Sequence, residues 1–283
     1  QVIRHVTELG AEADVMAVAD YALIPMMMYN TRIPDTTENY ADWHVKFATN
    51  RMGLAYTSQS KHAGRISSAN WYQILSQPDV RVGISDPRFD SCGYRTLMVC
   101  QLAELHYGDD TIFEGVTGGF SPPVTVKEAN GGYVISVPEM LEPLKVALRG
   151  SSVRLLGILE SGDIDYAFLY QSVAEQYGLE FLRLPPQIDL SSDSYKELTA
   201  GISVKQAFRR FASIAPEFTC QPIQYGITIP KNAPHPELAV DFVRLILGPD
   251  GQEILRENHQ PLLVPAKADN PGKLPGRLKP LVK

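Results

Sequence analysis

Cysteine is scarce in this chain, with three among 283 residues, and no Cys-x-x-Cys pair occurs. An odd, widely spaced set (Cys92, Cys100, Cys220) argues against a disulfide framework and against a thiolate zinc site. Long apolar runs are absent too. No stretch reaches the ~18 apolar residues that a membrane-spanning helix requires. Nor is there an excess of positive charge. Lys and Arg number 26 against 32 Asp and Glu, a formal net charge of -6, which argues against generic nucleic-acid binding. A small anion responds to local N–H dipoles rather than to this total, so an anionic ligand stays open. Internal repeats and low-complexity segments are also lacking.

Familiar catalytic patterns are missing as well. The chain has no Gly-x-Ser-x-Gly, no His-Glu-x-x-His, no P-loop and no Gly-x-Gly-x-x-Gly behind a strand. Its six histidines are scattered, and His44, His62 and His106 show no metal-ligand spacing. The run Met26-Met27-Met28 reads as helix packing. Cys92, beside Gly93 at a helix start, would be an activated thiol only with a base nearby, and the adjacent sequence supplies none.

What is present describes an ordinary globular protein, 44% hydrophobic and 20% charged. Its length lies where single cores stop growing, near ~250–300 residues, so two domains are expected. Strand and helix patterns alternate. Residues 1–10 read as a helix stopped by Gly10, and Asp14–Ala19 as a buried parallel strand. Trp43–Tyr56 reads as a strand pair turning at Asn50-Arg51-Met52-Gly53, and Trp71–Leu75 as a short helix. Val80–Ser85, Tyr133–Val137, Ile164–Tyr170, Leu179–Leu184 and Ile223–Ile229 read as strands. Thr96–Tyr107, Leu155–Leu159, Ser172–Tyr177, Pro236–Leu247 and Gly251–Asn258 carry helical spacing. Residues 187–222 look irregular and polar, with a helix around Val204–Ala212, and the tail from Pro261 looks extended. This alternation indicates an α/β architecture.

Two helix starts stand out. One follows the loop Asp86–Arg95, and the other follows Ser151-Ser152-Val153. Helix starts expose unpaired N–H groups at a positive dipole end, so Ser91, Cys92, Gly93, Ser152 and Val153 are candidate anion donors. For either loop taken alone plain capping is the favoured reading, with Asp90 and Ser152 serving only their own helices. Tyr170, at a strand end, offers a hydroxyl to an oxyanion or serves as a core tyrosine. Residue patterns alone therefore end at a two-domain α/β protein with candidate anion-binding helix starts.

Five segments, in order, carry a resemblance: Ala13–Tyr21, Ala48–Tyr56, Asp90–Arg95, Asp165–Ala174 and Tyr225–Pro230. Together they resemble the archaeal-type molybdate/tungstate-binding proteins of ABC importers over nearly the whole chain. The resemblance implies a two-lobed periplasmic-binding-protein type II fold, with a hinge between mixed α/β lobes that close on an oxyanion. Lobe one is expected to hold residues 1–80 and 223–283, and lobe two residues 81–222. It further implies a non-enzymatic, extracytoplasmic protein without a cofactor, acting as a monomer with a membrane permease as its partner.

By the same resemblance the family's loop carboxylate falls on Asp90, which would reach the molybdenum or tungsten of the bound oxyanion. The following N–H donor falls on Cys92, the later helix-start donor on Val153 and the binding tyrosine on Tyr170. Where the family often carries a glutamate, this chain reads Ser151-Ser152-Val153-Arg154, so Ser152 would donate a hydrogen bond and Arg154 would balance charge. That favours a tetrahedral oxyanion held by donors, with six-coordinate binding through Asp90 still open. The sequence opens at Gln1 in a helical pattern already under way, and the expectation is of an upstream segment carrying any export signal or lipid anchor. A binding protein for sulfate or phosphate, and a ligand-sensing domain of a transcription regulator, are the competing readings. A transferase on a related fold would need a cleft nucleophile or cofactor lysine, and none is evident.

Overall fold

Gly10 adopts a left-handed backbone (φ 68°) and ends the first helix, a conformation glycine takes without steric cost. The computed structural model describes residues 2–129, 131–207 and 217–283. The chain enters through α1 (Val2–Thr7), β1 (Met16–Val18), α2 (Leu23–Met28) and β2 (Val45–Thr49). It continues through β3 (Met52–Tyr56), α3 (Trp71–Leu75), β4 (Val82–Ser85), the long α4 (Ser91–Tyr107), α5 (Ile112–Thr117) and β5 (Phe120–Ser121). Next come β6 (Thr125–Ala129), β7 (Gly132–Val137), β8 (Glu142–Pro143), β9 (Ala147–Arg149), α6 (Val153–Glu160), β10 (Tyr166–Tyr170), α7 (Gln171–Gln176) and β11 (Glu180–Arg183). The last elements are α8 (Lys196–Ala200), β12 (Ile202–Gln206), β13 (Glu217–Thr219), β14 (Gln224–Thr228), α9 (Pro236–Leu247), α10 (Pro249–Glu257) and β15 (Leu262–Ala268).

Two compact units result. One holds the chain up to Asn50 and from Ile223 onward, and the other holds Arg51–Pro222. The first unit is built on the sheet β1-β14-β2-β15. Its strands are all antiparallel to their neighbours. The parallel pairing expected for Asp14–Ala19 is thus corrected. β1 meets β14, which returns from the far end of the chain (Met16 opposite Thr228), rather than a strand delivered by a crossover helix. Helix α9 lays Ala239, Val240, Val243 and Leu247 onto a core with Trp43, Val45 and Ile227. That spacing places one apolar stripe along the helix. Met27 and Met28 are buried in α2, as packing residues.

The second unit is centred on the sheet β11-β3-β10-β4-β9. Every residue of β10 and of β4 is buried, which explains why both strands lack strict polar–apolar alternation. Strand β3 lies antiparallel between β10 and β11. The strand pair expected over Trp43–Tyr56 therefore exists as two strands but not as a hairpin. Asn50-Arg51 passes from one sheet to the other, and residues 51–80, grouped by sequence with the first lobe, fall in the second unit. A further sheet, β13-β12-β7-β6, contains the strand expected at Tyr133–Val137 (β7) and takes β12 and β13 from the stretch 187–222 read as irregular. Val204, expected in a helix, lies in β12, where Ile202 and Val204 are buried in alternation beside the parallel strand β7. The rest of that expected helix, from residue 208, lies outside the described residues.

Helix α4 is buried from Cys92 to Ala103. It begins at Ser91 rather than at Thr96, where helical spacing placed its start, because a helix buried on every face, Arg95 and Gln101 included, shows no single apolar stripe. Its start rests against the end of β4. A Cβ on Gly93 would lie 2.3 Å from the Ser85 carbonyl oxygen, with Pro87 N at 2.7 Å, so only glycine permits this approach. All three cysteines are free and buried. Among the described residues, no helix is long and apolar enough to cross a membrane.

The Gly93 contact yields a stability prediction. Gly93→Ala must push α4 off the strand end and is expected to cost about 1–3 kcal/mol, the usual penalty of overpacking. Urea denaturation followed by circular dichroism measures it, and an unchanged midpoint would mean that the helix start is not pinned there.

Candidate functional site

The site expected from sequence gathers where three parallel strands end. β10 runs parallel to β4, and β4 runs parallel to β9. Their carboxyl ends (Tyr170, Ser85 and Arg149) therefore share one edge of the sheet, and each is followed by a helix start: α7, α4 and α6. Ligands of open α/β sheets sit outside such carboxyl edges. The Asp86 N–H donates to the Arg149 carbonyl at 2.7 Å, stitching the ends of β4 and β9 together.

Asp90 is the N-cap of α4, with extended backbone (φ -128°, ψ 134°). One carboxylate oxygen accepts the Cys92 N–H at 3.3 Å, and the other accepts the Ser152 N–H at 2.5 Å. A single side chain thus spans the two helix starts singled out by sequence. The capping reading and the donor reading describe the same groups here, because the N–H groups able to face an anion already face a carboxylate. Ser152 differs from expectation in detail. It has helical dihedrals (φ -59°, ψ -37°), and its hydroxyl makes no capping bond to α6. The Asp90 oxygen takes the Ser152 amide instead, so the start of α6 is satisfied from outside the helix. The Val153 side chain is 55% exposed, and its amide belongs to the first helical turn, where intrahelical acceptors are lacking.

The loop before α4 is held by its own ion pair. Arg88 donates to Asp86 from Nε at 2.9 Å and from a terminal nitrogen at 2.6 Å. It also donates to the Glu139 carbonyl at 2.8 Å. These bonds to Asp86, more than any other influence, push the Arg88 pKa up, so its charge is committed to the loop. Gln206 donates to the Pro87 carbonyl at 2.5 Å from the neighbouring sheet.

Tyr170 is buried, and its hydroxyl meets Ser91 and Arg95. Ser91 Oγ lies at 3.0 Å, and a terminal nitrogen of Arg95 donates to it at 2.7 Å. Arg95 was not foreseen from sequence. Its signal was available: an arginine inside an otherwise apolar helical run, one turn after Ser91 and so on the same face. It is 2% exposed and also lies over the rings of Tyr94 and Tyr170, each at 5.8 Å. Cys92 contributes its amide rather than its sulfur. The thiol donates to the Phe168 carbonyl at 3.3 Å, and burial pushes its pKa well up, the opposite of an activated nucleophile.

The arrangement therefore joins Asp90, Ser91, Cys92 and Arg95 on α4, Ser152 and Val153 at α6, and Tyr170 at the end of β10. Its chemistry is hydrogen-bond donation around a point where two helix dipoles end. Among the described residues, no group of three His, Cys, Asp or Glu side chains gathers to hold a metal ion.

Comparison with known proteins places the chain. A solute-binding protein of Methanoculleus marisnigri is 43% identical over 281 residues, covering 99% of this chain and 75% of its own length. The molybdate/tungstate-binding protein WtpA of Pyrococcus abyssi is 40% identical over 286 residues, covering 99% of this chain and 76% of its own length. Among solved structures, the periplasmic molybdate-binding protein of Azotobacter vinelandii superposes with a TM-score of 0.52 at 14% identity, covering 93% of this chain and 83% of that one. That likeness is one of fold, the periplasmic-binding-protein fold expected from the sequence. A model of the bacterial extracellular solute-binding protein family matches residues 2–259, and the chain belongs to that family.

Proposed function

We propose that this chain captures molybdate or tungstate outside the cytoplasm and delivers it to the membrane permease of an ABC importer, without catalysing a reaction. The observation that carries the reading is the 40% identity to a molybdate/tungstate-binding protein along 99% of the chain. The geometry is consistent with it. A doubly charged oxide suits a place where α4 and α6 both begin, because helix N-termini attract anions through their free amides and aligned dipoles. The Val153 amide and the Tyr170 hydroxyl are the donors of this reading, joined by the Cys92 and Ser152 amides as Asp90 turns from them to meet the metal centre. Delivery needs a bound ligand and no turnover, in keeping with a donor set that holds no nucleophile and base in register.

Asp90 supplies the selectivity in this reading. A carboxylate beside a dianion is repulsive unless it bonds to the central atom or carries a proton. Molybdenum and tungsten accept additional oxygen ligands, whereas sulfur and phosphorus in sulfate and phosphate do not. The same residue that repels sulfate and phosphate is thus tolerated by molybdate and tungstate.

Thermal unfolding in the presence of each oxyanion tests the assignment. Ligand at 100 times its Kd stabilises a protein by about 2.7 kcal/mol. At roughly 2–4 °C per kcal/mol, molybdate and tungstate are expected to raise Tm by several degrees, while sulfate and phosphate leave it in place. Equal shifts with all four, or no shift with the metal oxides at millimolar supply, would end the reading. Asp90→Asn separates capping from charge, because asparagine caps a helix about as well as aspartate. The variant keeps one acceptor oxygen for the Cys92 cap but loses the second, which takes the Ser152 amide, so it is expected to lower Tm modestly without ligand, to bind tungstate more weakly and to gain measurable sulfate binding in calorimetry. Unchanged selectivity would remove Asp90 from the site.

A further inference from the structure

Helix first turns favour acidic side chains, because an anion there complements the positive dipole end and a cation opposes it. Helix α6 departs from this rule. Its first turn holds no acidic residue, and Arg154 stands in it, just past the N-cap Ser152. The connection Ala147 to Arg154, from β9 into α6, carries two arginines and no Asp or Glu, in a chain whose formal net charge is -6. Natural proteins break such local rules mainly at functional sites. The backbone fixes where both arginines stand. Arg149 ends β9 in register with Ser85 at the end of β4, and its carbonyl accepts the Asp86 N–H at 2.7 Å. The Arg154 N–H donates to the Ser151 carbonyl at 3.1 Å, beside the Ser152 amide that Asp90 holds. Both side chains are exposed. The Arg149 guanidinium donates to a neutral group, the Leu148 carbonyl, at 3.0 Å. Arg88, by contrast, is paired with Asp86 and lies within the influence of Glu142. Among the described residues, no carboxylate pairs with Arg149 or Arg154. Two uncompensated positive charges therefore stand in water next to the donors proposed to hold the oxide.

We infer that Arg149 and Arg154 steer the doubly charged metal oxide to the carboxyl edge of β4 and β9, raising its association rate without touching it once bound. The role rests on the molybdate/tungstate reading of this site. A dianion feels exposed charges across the Debye length, about 30 Å at 0.01 M salt and about 3 Å at 1 M. The Asp90 carboxylate repels the same ligand on its approach, and the two arginines offset that repulsion from a distance. No fixed side-chain pose is required, because the effect is carried by net charge near the entrance rather than by a hydrogen bond.

Two measurements on the whole chain test this. Calorimetry gives the tungstate Kd, and release of radiolabelled tungstate into excess unlabelled oxide gives the dissociation rate; their quotient is the association rate. At about 0.01 M salt, Arg149→Gln/Arg154→Gln is expected to slow association roughly 3- to 10-fold, a part of the 10- to 1,000-fold that steering supplies. Dissociation is expected to stay as it is, so that Kd rises by the same factor. At about 1 M salt the variant and the unaltered chain are expected to coincide. Arg149→Lys/Arg154→Lys keeps the charge and is expected to restore the rate, whereas a bidentate contact with the oxide would be lost in that exchange. Lys127→Gln removes an exposed cation from β6, in a separate sheet, and is expected to change the rate far less. If the unaltered chain binds neither oxide, the ligand assignment falls and this role with it. If it binds, steering alone is overturned by an unchanged low-salt association rate in the Gln variant, by a loss that persists at high salt or in the Lys variant, or by an equal loss in Lys127→Gln.

Discussion

The carboxylate of Asp90 is the contact on which the candidate site depends. It holds the amides of Cys92 and Ser152, residues 60 positions apart in sequence, against one side chain. Two helix starts brought to one place would set two positive dipole ends near each other, and a negative group between them offsets that repulsion. The sheet makes the meeting possible, because β4, β10 and β9 are parallel and discharge their loops on the same edge. Order in the strands thus becomes convergence in the loops, and one aspartate fixes the convergence.

Much of this was legible in the residues, for identifiable reasons. Pro236 to Leu247 showed a helix because one face is apolar at helical spacing, and the structure places that face in the core. Trp71–Leu75 was read with its observed bounds. The strand ending at Tyr170 and the junctions leading into α4 and α6 were also visible, since short apolar runs bounded by Ser, Asp and Gly mark such junctions, although α4 begins at Ser91 rather than at Thr96. What was hidden depends on distant partners. Nothing local says that β2 and β3, two residues apart, join different sheets, because that choice is made by β14 from the chain's end and by β10. Val204 read as helical because its neighbourhood is polar, while its strand is defined by pairing with β7. Arg95 was overlooked for a related reason: its meaning comes from Tyr170, which lies 75 residues away.

Membership of the solute-binding family and the arrangement of the site address different questions. The family gives the fold and the general task of holding a solute. Under the proposed reading the ligand class follows from the groups at the carboxyl edge, among them amides, a phenol and a carboxylate. A donor set of that character suits a small, compact, highly charged species. Arg88 and Arg95, close in sequence, divide the labour. One is bound to Asp86 and stiffens the loop, while the other sits beneath the tyrosine.

The three cysteines carry a different consequence. Proteins of this family are named for a life outside the cell, where surroundings are oxidising and exposed thiols are readily converted to disulfides or sulfenic acids. Cys92, Cys100 and Cys220 are all shut inside the fold, and burial drives each thiol away from its reactive, ionised form. Once folded, these three thiols are shielded from oxidants, and their vulnerable interval is the time before the core closes around them.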